Sequence, residues 1–194
     1  MVAPTETAER ILTAFLKLAA ERGFEATTTR AVAEEAGVNE VTIFRNFKDK
    51  ATLIREAYHH FAPGSRIVAY PLSIDTSTPT RAAAGLVECL KFLRDCLQEH
   101  PQLLLSGMSE YWRFPELQDE LAFHPHAAHN LIERALTQAA PTLRSDVDRA
   151  TAAFSLLGLL TVTISWQYRG WLTMADEEWD RKLAAAIHPL MRMR

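Results

Sequence analysis

Residues 27–50, TTTRAVAEEAGVNEVTIFRNFKDK, decide the fold. Two short helical patterns flank Ala36-Gly37-Val38-Asn39, the spacing of a helix-turn-helix, in which the second helix is held out so that it can enter a DNA major groove. Thr28 is placed to cap the first helix, whose Val32, Ala33 and Ala36 form one apolar stripe. Gly37 ends it, because a residue without Cβ can take the left-handed conformation that turns the chain, and Asn39 is a favourable cap for the next helix. In that helix Ile43 and Phe47 lie four apart and share an inward face with Val38. Glu40, Val41, Thr42, Phe44, Arg45 and Asn46 remain outside. A plain solvent face would carry Lys, Glu and Gln instead, so these residues are taken as a reading face.

Outward from this stretch the pattern stays helical. Residues 6–22 carry a stripe of Ile11, Phe15, Leu18 and Ala19 behind Thr5 or Thr7 as cap, and Leu53, Ile54, Ala57, Tyr58 and Phe61 define a fourth helix that stops before Pro63-Gly64. Residues 11–61 thereby resemble the DNA-binding domain of the tetracycline-repressor (TetR) family. The resemblance runs through Gly23-Phe24, Thr27-Thr28, Val32-Ala33, Ala36-Gly37-Val38, Thr42-Ile43-Phe44, Phe47 and Lys50. Phe44 stands where the family usually has Tyr, and Asn46 where His is frequent. The resemblance implies an all-α chain with an N-terminal helix-turn-helix domain over 1–62 and a helical ligand-binding and dimerisation domain over 63–194. It also implies that Thr28, Thr29, Arg30, Phe44, Asn46 and Lys50 position the module on phosphates or sugars. Base reading falls to Glu40, Val41, Thr42 and Arg45, since Arg can pair with guanine, a carboxylate can accept from cytosine N4, and methyl groups can touch thymine.

The composition limits the alternatives. With 194 residues, 48% hydrophobic and 23% charged, the chain is globular, and its net charge of −3 excludes a bulk polycation. Binding to nucleic acid must then come from local placement of Arg and Lys. Two cysteines, Cys89 and Cys96, fit a reducing compartment, and the N-terminal MVAPTETAER lacks a basic segment followed by an apolar run, so a cytoplasmic protein is expected. The sequence contains no GxSxG, no GxxxxGK and no HExxH, so no enzyme and no cofactor are expected.

Residues 63–79 contain three prolines and read as a connection, where the domain boundary is placed. Beyond it, 80–98 is a helix apolar over most of its circumference, 101–113 a shorter one, and 116–139 a longer one with an expected kink at His124-Pro125. Ser145-Asp146-Val147-Asp148 resembles a capping box opening an apolar helix over 150–166. Two readings compete for that helix, a membrane span and a helix buried on one side by its own domain and on the other by a second subunit. The run is shorter than the ~20 apolar residues of a span and contains Thr and Ser, so the second is adopted and no membrane partner is expected. Gly158, Thr161 and Ser165, with Phe154, would let another backbone approach. The final helix begins at Asp176 and continues a stripe of Trp179, Leu183, Ile187 and Leu190. In the family resembled, the last two helices form the dimer interface.

One reading helix is a small footprint, so a homodimer on double-stranded operator DNA is expected, with half-sites about 34–36 Å apart or a multiple of that. The resemblance adds a small-molecule effector that competes with the operator through the linkage of the two sites. Cys89, Phe92, Leu93, Cys96, Met108, Tyr111, Trp112, Phe123 and Trp166 are the candidates for its pocket, set against ordinary core packing, and they suggest a largely apolar ligand. Cys89 and Cys96 would be about 10 Å apart on one helix, beyond disulfide reach. His124, His126 and His129 could hold a metal, but Pro125 disturbs their helix and no Cys or carboxylate completes a set, so no metal is expected. The rival reading of the whole is a ligand-binding dimer whose head has weak or lost DNA binding.

Overall fold

The computed structural model describes residues 5–192, apart from the side chains of Ser106, Met108, Ser109 and Glu110. The described residues form α-helices, short 3-10 turns and one isolated bridge between Leu143 and Met191, with no strand. The chain divides into two compact units, Met1–Ala62 with Gln102–His124, and Pro63–Pro101 with Pro125–Arg194.

The first unit opens with α1 (Glu6–Ala26), capped by Thr5, whose side chain accepts from the Ala8 amide. Gly23 breaks its regularity at φ 81°, ψ 168°, a backbone state open essentially to glycine, and the chain turns there so that Phe24 enters the core. Three helices follow: α2 (Thr29–Ala36), α3 (Glu40–Phe47) and α4 (Lys50–Phe61), capped by Thr28, Asn39 and Asp49 respectively. Ile11, Phe15, Phe24, Val32, Ile43, Phe47, Leu53 and Ile54 are buried together.

The same core includes Leu103, Leu117 and Leu121, which the sequence reading assigned to the C-terminal domain. Tyr58 donates to the Leu103 carbonyl at 2.7 Å, and Arg55 pairs with Glu120 at 2.5 Å. Arg113 pairs with Glu25. Apolar residues beyond the proline-rich segment thus share one core with those of α1 and α4.

The second unit comprises α5 (Gly64–Val68), α6 (Pro79–Glu99), the part of α8 (Gln118–Ala139) after His124, α9 (Arg149–Tyr168) and α10 (Asp176–Ile187). Between α6 and α8 runs α7 (Pro101–Glu110). The stretch expected as a plain connection contains α5, seeded by the fully buried Ile67, and is then fastened where the Ile74 amide donates to Gln138. Helix α8 continues through Pro125. The cap of α9 is Asp148, not Ser145: its carboxylate accepts from the Ala150 amide at 3.2 Å and from the Thr151 hydroxyl at 2.5 Å, while Asp146 is taken by Arg144. Helix α10 packs along α6 through Trp179, Leu183 and Ile187. The Trp179 indole donates to Gln167 at 3.0 Å, which ties α10 to the end of α9.

Candidate nucleic-acid interface

The turn between α2 and α3 is built from inside. Gly37 adopts φ 64°, ψ 40°, and its amide closes α2 onto Ala33 and Glu34. Arg10 of α1 reaches across to donate to the Ala36 carbonyl at 2.5 Å, satisfying an acceptor that the helix end leaves over. Asn39 then caps α3 by accepting from the Val41 amide at 2.9 Å. With Ile43 and Phe47 buried, the angular spacing of a helix leaves the intervening side chains no place but outward. Val41 is 64% exposed and Phe44 48%, and Arg45 and Asn46 are exposed beside them. Exposed apolar side chains gain nothing from water, so their presence on a helix tip marks a surface that something else covers.

The polar members of the set are not equivalent. Arg45 makes no hydrogen bond or ion pair among the described residues. Arg30 pairs with Glu34 one turn on at 3.1 Å, an exposed pair of small worth. Thr28 is committed as the cap of α2. Asn46 turns back to donate to the Thr42 carbonyl at 2.7 Å, and Lys50 donates to the Glu25 carbonyl at 2.7 Å, tying the start of α4 to the end of α1. Thr29 donates to Glu40 at 2.6 Å, an arrangement that the residue spacing does not reveal. Lys48, which the sequence reading passed over, ends α3 at φ 61°, ψ −51°, and Asp49 donates back to the Phe47 carbonyl at 2.5 Å to close a γ-turn.

The ligand candidates divide between the two units. Cys89, Leu93 and Cys96 are buried on the inner face of α6, and Phe92 stacks on Tyr70 at 4.2 Å. Burial pushes the Cys89 thiol up to about 12, and the free Cys96 sulfur accepts from Arg66 at 3.1 Å. These cysteines behave as packed hydrophobes. Trp166 is exposed on α9. Tyr111, Trp112 and Phe123 belong to the first unit, and Trp112 is 80% exposed, without the enclosure a ligand pocket supplies. The Met108 side chain lies outside the described residues. His124 packs between Tyr58 and Phe123, and burial lowers it to about 4. His129 instead lies against Phe154 at 4.4 Å, and no group of three or more metal-ligating side chains gathers among the described residues.

Helix α9 is long and apolar enough to cross a membrane by length and composition. Its Ala152, Ala153, Leu156, Leu160 and Ile164 are buried in its own unit. The opposite face runs through Phe154, Gly158, Thr161, Val162 and Ser165, with Phe154 67% exposed. Ser165 donates to the Thr161 carbonyl at 2.6 Å and Thr161 to that of Gly158 at 3.3 Å, so the hydroxyls are satisfied by their own helix and the face is effectively apolar. The stripe expected on α10 needs correction, because Trp179, Leu183 and Ile187 point into the protomer core against α6 and cannot meet a second subunit. Leu190 is half-buried and lines an open groove of about 590 Å³ with Leu156, Leu159 and Ala186.

Residues 11–57 match the family described as bacterial regulatory proteins, tetR family. An HTH-type transcriptional regulator of Bacillus subtilis (strain 168), YvkB, is 52% identical over 48 residues, which span 25% of this chain and 25% of that protein. Among solved structures, NalD, the secondary repressor of the MexAB-OprM multidrug efflux pump in Pseudomonas aeruginosa, aligns with TM-score 0.73 at 23% identity over 96% of each chain. A protein described as a TetR-family transcriptional regulator from Rhodococcus sp. aligns with TM-score 0.66 at 22% identity, over 96% of this chain and 99% of its own. These structural likenesses extend the shared fold over both units.

Proposed function

We propose that the chain, whose residues 11–57 match the tetR family of bacterial regulatory proteins, is a transcriptional repressor that binds a palindromic operator as a homodimer and releases it when a small, largely apolar molecule binds. The observation that carries this reading is the surface of α3. Ile43 and Phe47 lock the helix down, and Val41, Phe44 and the unpaired Arg45 face outward in a combination suited to base edges. Dimerisation follows from the apolar outer face of α9, which a second copy would cover, and two heads at fixed separation then read two half-sites. Effector and operator compete because each favours a different arrangement of the same protein.

The second reading, a ligand-binding dimer with weak DNA affinity, is favoured by the net charge of −3 and by Phe44, which offers no hydroxyl to a phosphate. Selection of bound sequences from random duplex DNA at two salt concentrations separates the two. An enriched palindrome whose binding weakens steeply with salt supports the repressor, whereas the absence of enrichment at low salt supports the ligand-binding dimer.

A further inference from the structure

The hydroxyl of Thr29 and the carboxylate of Glu40 meet at 2.6 Å. Each is the first residue of its helix, directly after the caps Thr28 and Asn39. The carboxylate therefore sits by the N-termini of α2 and α3, where the backbone dipoles favour negative charge. A glutamate on an exposed first turn ordinarily samples several rotamers, but a donor eleven residues away holds this one, and both side chains are half-buried by the arrangement. The donor proton of Thr29 is thereby committed within the protein rather than offered to a phosphate.

A fixed carboxylate on a reading helix has a narrow chemistry. It is repelled by phosphates and by the acceptor-bearing edges of guanine and thymine, and it can accept only from an amino group. Adenine presents its amino group between two acceptors, its own N7 and the thymine O4, whereas cytosine N4 has an acceptor on one side only, the O6 of its paired guanine, and the ring C5–H on the other. We propose that Thr29 is a positioning residue for sequence recognition, and that the Glu40 carboxylate it holds is a specificity determinant selecting cytosine at one position of each half-site. This deepens the operator-binding reading and rests on it. Glu40 then lowers affinity for DNA in general and lowers it least where cytosine lies beneath it.

The experiment is a base-preference profile from randomised duplexes for the full chain and for Glu40→Ala, Glu40→Gln, Thr29→Val and Thr29→Ser, with the thermal midpoint of each. Glu40→Ala is expected to erase a cytosine preference of roughly ten- to hundredfold at one symmetric pair of positions and leave the others intact. Glu40→Gln, nearly the same shape, should move that preference to adenine, because an amide can donate to N7 while accepting from N6. Thr29→Val should blunt the same position and Thr29→Ser should restore it. If Thr29→Val weakens all sequences alike with an unchanged profile, Thr29 is only a brace between α2 and α3 and the proposal fails. It fails equally if the Glu40 variants leave the profile as it was, or if the affected position prefers a base other than cytosine. When the parent chain itself enriches no palindrome, the operator-binding reading falls and this inference falls with it.

Discussion

Replacing Gly107 by Ala should destabilise the first unit, although alanine is the better helix former. A Cβ at position 107 would stand 2.7 Å from the Tyr58 hydroxyl and 3.6 Å from the ring carbon bearing it. The hydroxyl cannot simply swing away, because Tyr58 is 3% exposed, donates to the Leu103 carbonyl at 2.7 Å and meets Phe24 edge-on at 5.8 Å. Displacing it forfeits a hydrogen bond of about 1 kcal/mol and overpacks a well-filled site at about 1–3 kcal/mol. The gain in helix propensity offsets about 1 kcal/mol, so the net loss is roughly 1–3 kcal/mol. Tyr58→Phe removes the atom that clashes. The double variant Tyr58→Phe/Gly107→Ala should therefore be more stable than Gly107→Ala alone, with the lost hydrogen bond and the helix gain nearly cancelling relative to the parent. Urea unfolding followed by circular dichroism, run as a double-mutant cycle, reads this coupling. A Gly107→Ala protein as stable as the parent, or one that Tyr58→Phe does not rescue, refutes the account of how residues 102–124 dock on the head.

Three further perturbations address other parts of the chain. Lys48 holds φ 61°, ψ −51° without being glycine, so Lys48→Gly should stabilise the head by about 0.5–1 kcal/mol after the added freedom of the unfolded chain is subtracted; Lys48→Ala is the control, and an equal response of both in urea melts rejects the backbone explanation. His124 is lowered to about 4 by burial and then by His59, so between pH 6.5 and about 4 the unfolded chain takes up a proton that the folded one refuses. Stability should fall over that window as pH drops, by about 1–2 kcal/mol once partial exposure is allowed for, and comparing the urea midpoints of the parent and His124→Phe across pH isolates this share from the carboxylates. A Cβ at Gly158 would meet nothing within 4 Å, so Gly158→Glu should leave the chain folded and abolish the proposed pairing; unchanged helicity with the same sedimentation mass as the parent removes this face from the proposed interface.

How much of this was legible in the sequence depended on the range of the interaction. Thr28, Gly37 and Asn39 mark their turn, and Ile43 with Phe47 mark the inner face of α3, through contacts no more than four residues apart, where helix geometry alone fixes the partners. Periodicity likewise found the stripe of α10, but an apolar stripe says that something covers it and not what. The structure covers Trp179, Leu183 and Ile187 with α6 of the same chain.

The sequence by itself determined an all-α chain, the helix-turn-helix and the residues that face outward on its second helix, because caps and helical spacing are local properties of the chain. Tertiary structure alone decided that residues 102–124 return to the head, that Glu40 is held by Thr29, and which side of each C-terminal helix remains open. Those outcomes depend on which apolar and polar groups find one another across tens of residues. That choice is made by packing and hydrogen-bond satisfaction in the whole fold, and no spacing within the chain encodes it.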